Sequence, residues 1–515
     1  MNPAEQSLAR HRALVAALED PACYPHPVDH VEHRDTHISS VLLAGDYAYK
    51  LKKPVDLGFV DFSTLERRRH FCREELRLNA RFAPDLYLGV VDIAGSPEQP
   101  RIGGPGPLLE PAVRMHRFPQ DALLSAQLAA GKFSGARADS LAAALAAMHE
   151  AAPAAPAGEP WGTPDAVLAP ALDNLRGLEP VPAGLPGAEL ATVERYTRET
   201  GAALMPAFRE RRAQGHVREC HGDLHLDNLL WWRDRIQAFD AIEFSPALRW
   251  IDTASDLAFT LMDLEFRDAP RRARRLLSAY LERAGDYAAL QVLGFYRVYR
   301  AMVRAKVAAL QGKPEAAGYL ALAEARTHPG RPALVLTHGL SGSGKSRAAL
   351  ALVEAFGCIR LRSDVERKRL LGLTARQRTG SGLEQGAYAP DMSQRTYRRL
   401  AALADSALAD GYSVVVDAAA LKAWQRREIL SVGRQREVPC ALLALEAPRE
   451  ELERRLRRRA ARGRDASEAD LSVLRYQMGE LEPVRQADHP EVAVFRPAGG
   501  ADATEDALSA WFARI

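Results

Sequence analysis

"CHGDLHLDNLL", residues 220–230, gathers two histidines, two aspartates and an asparagine around one glycine. Three chemistries compete for it. A zinc site needs His and Cys at paired spacings, and no CxxC or HExxH elsewhere in the chain completes four ligands. A cysteine hydrolase needs its nucleophile to meet a base, but Cys220 and His221 are adjacent, so their side chains diverge, and no G-x-S-x-G elbow is present. A phosphoryl-transfer loop needs a carboxylate for the hydroxyl proton, an amide oxygen a few residues on for Mg2+, and a second Mg2+ carboxylate after a short hairpin. Asp223, Asn228 and Asp240 stand in that order, and "LLWWRDRIQAF" between them reads as a two-stranded ribbon turning at Arg233-Asp234. This third reading explains the most residues.

Working upstream, a kinase also needs a strand lysine for the α/β phosphates and a helix carboxylate to pair with it. "HISSVLLAGDYAYKLKK" has β-branched and aromatic residues on both sides of Gly45-Asp46, the composition of two strands and a tight turn. It carries Lys50, with Lys52 on the same strand face. "STLERRRHFCREELRLNARFA" opens with Ser63 and has Glu66 three places on, a capping box ahead of an amphipathic helix that carries Glu75 beside Glu74. Lys50 and Glu75 are the candidate pair, with Lys52 and Glu74 as the alternatives one step away. "AVRMHRF" reads as a further strand, and residues 137–310 are mainly helical. Strands come first and helices later, which predicts an α+β domain.

Near residue 328 the pattern changes to strand, glycine loop and helix in alternation, which predicts an α/β domain with a parallel sheet. "LVLTHGLSGSGKS" sets an apolar run before Gly339-x-x-x-x-Gly344-Lys345-Ser346, with helix-forming "RAALALVEAF" after it. Phosphate binding requires that order, because a flexible loop turns successive N–H groups inward and the helix N-terminus adds partial positive charge. The loop residues Gly339, Ser341, Gly342, Ser343 and Gly344 are expected to cradle ATP. Lys345 reaches its β/γ phosphates and Ser346 takes Mg2+. "CIRLRSDVERKR" reads as a second strand ending at Ser363-Asp364, and "YSVVVDAAALKAWQRRE" as a third ending at Asp417. Both aspartates then lie at the carboxyl ends of strands, where ligands bind. Asp364 is the candidate base for an acceptor hydroxyl. Asp417 is a candidate Mg2+ holder, with a helix N-cap as its alternative. Seven arginines fall between 454 and 464, ahead of Ser467 and Asp470 in capping-box register. They are read as a lid neutralising the transferring phosphate, with Arg455, Arg458, Arg459 and Arg462 the candidates, against a solvated helix face or a nucleic-acid track.

The 515-residue chain is 47% hydrophobic, enough for more than one core. The expected division is 1–328, with a small lobe to about 118 and a helical lobe beyond it, and 329–515. A net charge of +3 gives no global drive toward nucleic acid or anionic membranes. Five scattered cysteines support no disulfide framework, the N-terminal segment is unlike a signal peptide, and no run reaches the roughly 20 apolar residues of a membrane span. A cytoplasmic location fits.

Residues 333–485 resemble the P-loop kinase branch that includes gluconate kinase, polynucleotide kinase and zeta toxins, through "GLSGSGKS", "SDVERK", "VVVDAAALKAWQRRE" and "LRRRAARGRDASEADLSVLRYQ". That resemblance places Asp364 at the base position and Arg367 near the acceptor. The N-terminal half resembles the aminoglycoside phosphotransferase family, a branch of the protein-kinase-like fold, through "HGDLHLDNLL", "FDAIEF" and "RWIDTASDLAF". The stretch from "THISSVLLAGDYAYKLKK" through "EELRLN" is closer still to bacterial proteins that fuse such a domain to a P-loop kinase. No G-x-G-x-x-G lies between the first two strands, so Thr36, His37 and Ser39 are the candidates to cover phosphates there. His221 is expected to brace the catalytic loop, Asp256 to bond its backbone, and Asp227 to be a solvated neighbour. The implied activity is Mg·ATP-dependent phosphorylation of small-molecule hydroxyls at two sites. The alternatives are nucleic-acid ends as the C-terminal acceptor, or one domain acting as a nucleotide-binding regulator of the other. Residues 160–215 carry seven acidic and six basic residues, which does not suit a polycationic aminoglycoside.

Overall fold

β1 (Val31–Asp35), β2 (Ser39–Ala44), β3 (Tyr47–Lys52), β4 (Tyr87–Ser96), β5 (Gln99–Ile102) and β6 (Leu108–His116) form an antiparallel sheet in the order β1-β2-β3-β6-β4-β5. The turn at Gly45-Asp46 joins β2 to β3 and sets Ala44 opposite Tyr47. Strand alternation then assigns the faces. Leu42, Ala44, Tyr49 and Leu51 pack with Leu14 and Val15 of α1 (Pro3–Ala17). Leu43, Ala48 and Val113 pack with Cys72 of α2 (Leu65–Phe82). Lys50 and Lys52 share the parity of Ala48 and therefore look toward α2. The cap of α2 lies one residue later than the sequence indicates: Thr64, not Ser63, accepts the Arg67 N–H, at 3.3 Å. Ser63 is held upstream, its N–H and hydroxyl both donating to Asp61 at 3.0 and 2.6 Å.

The computed structural model describes residues 3–515 apart from 59, 179–181, 183, 329, 376, 378–388, 463–468, 487–489 and 498–500. Its contacts form two compact units that interleave in sequence, one of Met1–Ser134, Ala147–Asp173 and Met205–Asp263, the other of Gly135–Ala146, Asn174–Leu204 and Leu264–Ile515. The first unit also holds β7 (Val217–Glu219), the ribbon of β8 (Leu229–Trp232) and β9 (Arg235–Ala238), and β10 (Trp250–Asp252), which pairs with β7. The ribbon turns at Arg233 and Asp234, with φ of 52° and 58°, the left-handed pair that matches the twist of a two-residue hairpin.

In the second unit β11 (Leu334–His338), β12 (Ile359–Arg362), β13 (Val414–Asp417), β14 (Cys440–Ala444) and β15 (Ala493–Phe495) form a parallel sheet in the order β12-β13-β11-β14-β15. Every residue of β11, β13 and β14 is buried, as a sheet covered on both faces requires. Val335, Val415 and Leu443 pack against Ala349 and Leu352 of the helix Lys345–Phe356. The chain leaves β11 toward one side and returns to its other side, so the carboxyl end of β11 sits at a switch point where such sheets bind ligands. β12 stops at Arg362, so Ser363 and Asp364 open the helix Ser363–Leu370 and do not end the strand as read from sequence. Asp417 does end β13, and the next helix is capped by Lys422, which excludes the N-cap reading of Asp417. Asp470 caps the helix Leu471–Glu480, accepting the N–H groups of Ser472 and Val473, whereas Ser467 lies outside the described residues. Among the described residues no helix is long and apolar enough to cross a membrane.

Candidate active sites

In the first unit the loop after β7 is held by its backbone. Asp256 accepts the N–H groups of His221 and Gly222 at 3.1 and 2.9 Å, and His149 Nε2 lies 3.2 Å from the same carboxylate. Gly222 has φ of 88°, and a Cβ there would stand 2.7 Å from the Leu248 carbonyl oxygen, so glycine is required at this position. Burial lowers the pKa of His221, and its Nε2 lies 2.9 Å from the Phe239 carbonyl oxygen, which ties the loop to the end of β9. Asn228 donates to the Asp223 carbonyl at 2.9 Å and to its carboxylate at 3.1 Å. The Asn228 carbonyl accepts the Phe239 N–H at 3.0 Å, which sets Asp240 next to Asn228 in space. His225 Nε2 is 3.4 Å from the Asp223 carboxylate, and its Nδ1 is 3.7 Å from that of Asp227.

Asp240 has φ of 63°, a left-handed conformation uncommon for a residue other than glycine. Its N–H donates to the Tyr87 hydroxyl at 3.1 Å, and the next N–H, of Ala241, donates to Asn79 Oδ1 at 2.9 Å. Lys50 donates to Glu75 at 2.9 Å and also to Asp240. Lys52 donates to the other oxygen of Glu75 at 2.7 Å and also to Glu243. The choice between the two lysines thus resolves into two parallel bridges sharing Glu75. Glu74, the alternative carboxylate, is taken by Arg77. Burial opposes the charge on Lys50, but Asp240 and Glu75 outweigh it and hold its pKa well above the ordinary lysine value. Burial likewise opposes ionisation of Glu75, and Lys50 and Lys52 overcome it, holding that carboxyl at about 2. In the β1-β2 turn, Thr36 Oγ1 and the Ser39 backbone bond each other in both directions, and Lys53 donates to the Thr36 carbonyl at 2.6 Å. Sequence reading missed Glu243, Tyr87 and Asn79; a second acid three places after Asp240 was the available signal for Glu243.

In the second unit Lys345, Ser346, Asp364, Arg367, Asp417, Arg455 and Arg459 all line one cavity of about 510 Å3. The loop that enters it needs glycine at 339, where φ is 140° and a Cβ would stand 2.3 Å from the Leu445 carbonyl oxygen. Lys345 curls back on the loop, donating to the carbonyls of Gly339 and Leu340 at 2.8 and 2.7 Å. Burial of its ammonium outweighs the attraction of Asp417 and Asp364 and brings its pKa down to about 8. Ser341, Gly342 and Gly344 line the cavity too, and Ser343 is buried beside them. Arg367 donates to Asp364 at 3.0 Å. Asp417 Oδ2 is buried without a hydrogen-bond partner among the described residues, 3.7 Å from Arg362 Nε.

On the arginine helix, Arg449–Arg462, Arg455 and Arg459 face the cavity, and Arg455 donates to the Gly342 carbonyl at 3.1 Å. Arg458 is exposed and not among the cavity-lining residues, and the Arg462 side chain lies outside the described residues. Tyr397, Trp424 and Gln477 also line the cavity; Tyr397 stands in no quoted motif, and Trp424 and Gln477 lie within "VVVDAAALKAWQRRE" and "LRRRAARGRDASEADLSVLRYQ" without being singled out there. The donor sets suit Mg2+, a hard cation bound through oxygen. Asn228 and Asp240 offer oxygens in the first unit. Ser346 and the orphaned Asp417 oxygen offer them in the second.

Residues 105–293 match the model of the phosphotransferase enzyme family, and residues 334–484 match that of an AAA domain. The uncharacterized protein Rv2004c of Mycobacterium tuberculosis is 31% identical over 409 residues, which span 77% of this chain and 80% of the relative, and Mb2027c of Mycobacterium bovis gives the same values. Among solved structures, a choline/ethanolamine kinase family protein from Mesorhizobium loti aligns with a TM-score of 0.39 at 16% identity, over 62% of this chain and 94% of that one. A gluconokinase from Sinorhizobium meliloti aligns with a TM-score of 0.26 at 22% identity, over 36% of this chain and 93% of that one.

Proposed function

We propose, from the premise that this chain belongs to the family of the mycobacterial proteins Rv2004c and Mb2027c, that it is a double kinase. Each of two Mg·ATP sites transfers the γ-phosphoryl group to a hydroxyl of a small molecule. Residues 1–328 form one catalytic module and 329–515 the other. The carrying observation is a lysine facing carboxylates in each unit: Lys50 between Glu75 and Asp240, and Lys345 in the cavity of Asp364 and Asp417.

In the N-terminal module Lys50 leaves Asp240 for the α/β phosphates while Glu75 keeps it in place, and Asn228 and Asp240 hold Mg2+. Asp223, fixed by Asn228, takes the proton of the acceptor hydroxyl as the new O–P bond forms and the bond to the ADP oxygen breaks. In the C-terminal module the 339–346 loop grips the triphosphate, Ser346 and Asp417 hold Mg2+, and Asp364 takes the acceptor proton. Arg367 positions Asp364 and the acceptor, while Arg455 and Arg459 meet the charge on the transferring group. When bound at these residues, Mg2+ would supply neutralisation of phosphate charge in both modules.

Small-molecule acceptors are favoured over nucleic-acid ends. Glu451 and Glu453 pair with Arg449, Arg454 and Arg457 on the outer side of the arginine helix, and this partial neutralisation weakens that face as a phosphate track. We assign the protein to the cytoplasm on its five scattered, buried cysteines, which form no disulfide framework.

The experiment is ATP consumption by the full chain in metabolite extract, comparing Asp223→Ala with Lys345→Ala. Each is expected to remove part of the activity and the double variant all of it. Loss of everything on Lys345→Ala alone overturns the double-kinase reading.

A further inference from the structure

The phosphate loop of the second unit is already satisfied from within. Lys345 is bonded to two loop carbonyls, and the Ser341 N–H donates to the side chain of Gln477 at 2.8 Å. A backbone N–H requires an acceptor, so the Gln477 atom facing it is the amide oxygen, Oε1. Gln477 lies on the helix Leu471–Glu480, some 136 residues from Ser341 in sequence. That helix is fastened to the loop by more than this bond. Leu474 packs with Leu452 and Leu456 of the arginine helix, and Leu340 of the loop packs against this cluster. Loop, arginine helix and the Gln477 helix thus meet in one apolar contact beside the cavity that Arg455, Arg459 and Gln477 share.

A neutral amide oxygen on an inward-turned N–H of a phosphate loop occupies the place where such a loop offers its donor to an anionic oxygen. A charged phosphate oxygen makes the stronger bond to that donor and can displace it. We propose that Gln477 is a positioning residue that stands in for a phosphate oxygen while the site is empty and is displaced when the triphosphate arrives. This rests on the reading that the 339–346 loop binds ATP. Its consequence is that nucleotide binding unfastens the Gln477 helix from the loop, so the arginine helix packed with it is free to adjust as the site fills. Gln477 then sets nucleotide affinity and the order of events, and takes no part in the chemistry.

The test is binding of a non-hydrolysable ATP analogue with Mg2+ to the full chain, using the binding phase that Lys345→Ala removes as the marker of this site. Gln477→Ala is expected to tighten that phase by about 3- to 10-fold, because a competing neutral hydrogen bond is gone. Gln477→Glu is expected to weaken it, since a carboxylate holds the N–H harder and repels the phosphates. Hydrogen exchange in 471–480 is expected to speed up when the analogue binds to the wild type and to be fast throughout in Gln477→Ala. A purely structural Gln477 predicts unaltered affinity, and a Gln477 that donates to bound phosphate predicts weaker binding in Gln477→Ala. Either result sinks the proposal while leaving the nucleotide site intact. If Lys345→Ala removes no phase, it is the nucleotide reading itself that fails.

Discussion

Lys52 and Glu243 form an ion pair in which the side chains are 1% and 4% exposed, two residues beyond Lys50 on one strand and three beyond Asp240 on the segment after β9. The lysine bridges therefore differ in what they leave behind when cut. Without Lys50, Glu75 keeps Lys52, and Asp240, nearly half exposed, is rehydrated. Without Lys52, Glu243 is stranded as a buried carboxylate. Lys52→Met is expected to destabilise the first unit by about 3–5 kcal/mol, as breaking a buried pair does. Lys50→Met is expected to cost far less stability and to remove the N-terminal activity. Denaturant unfolding and the Lys345→Ala background assay check the two arms, and equal stability losses would contradict the asymmetry.

The lowered pKa of Lys345 gives the C-terminal site a pH signature. Between pH about 8 and the ordinary lysine value the unfolded chain binds more protons than the folded one, so this group makes folding more favourable as pH rises through that window. Nucleotide binding has the opposite sign, because the triphosphate prefers the charged ammonium. Affinity at this site is expected to be flat below pH 8 and to fall by up to about tenfold per unit above it. Lys345→Arg keeps its charge at any accessible pH and is expected to bind with a flat profile. Calorimetric titration across the range decides; a wild-type profile with no break near pH 8 contradicts the assignment.

Helical phase separates the arginines that the sequence left in one group. Arg455 and Arg459, four residues apart, share the face that lines the cavity, and Arg458 points to solvent. Arg459→Ala and Arg455→Ala are each expected to lower kcat of the C-terminal activity by about 10²-fold or more, with smaller effects on KM, as their proposed role against charge that develops during transfer requires. Arg458→Ala is expected to leave both constants unchanged. Steady-state kinetics on the three variants suffices, and a loss in Arg458→Ala equal to that in Arg459→Ala contradicts the assignment.

What could be read in advance followed from local pattern. Strand alternation around Gly45-Asp46, the ribbon at Arg233-Asp234 and the strand-loop-helix order at 333–356 each depend on neighbours in sequence, and the architecture follows them. The strand-loop-helix order also located the 339–346 loop, whereas local pattern left Lys50 and Lys52, and Glu75 and Glu74, as alternatives. What was not legible depends on distant partners. Period two places Lys50 and Lys52 on one face, and only Asp240 and Glu243, some 190 residues away, give them different roles. The cap of α2 moved from Ser63 to Thr64 because Asp61 captured Ser63, a competition between two local hydrogen bonds that a capping-box pattern does not rank. Gln477 closes the stretch "LRRRAARGRDASEADLSVLRYQ", but nothing in that pattern marks its contact with Ser341, which comes with the packing of Leu340 against the cluster of Leu452, Leu456 and Leu474.

Gly222 offers a way to silence the N-terminal site without touching a chemical group. Its left-handed φ of 88° is strained for any residue with a side chain, and the new Cβ would press at 2.7 Å on a backbone oxygen, which has little freedom to retreat. Relief requires the 220–223 segment to shift, and that segment holds Asp223 through the Gly222 and His221 N–H bonds to Asp256. Gly222→Ala is therefore expected to cost about 1–3 kcal/mol in the first unit and to abolish phosphorylation there, because a displaced base loses its line to the acceptor. Lys345-dependent ATP consumption should persist at wild-type rate. Retention of N-terminal activity in Gly222→Ala, measured in the Lys345→Ala background, would show that the loop tolerates another path and that Asp223 is not held in the way the geometry implies.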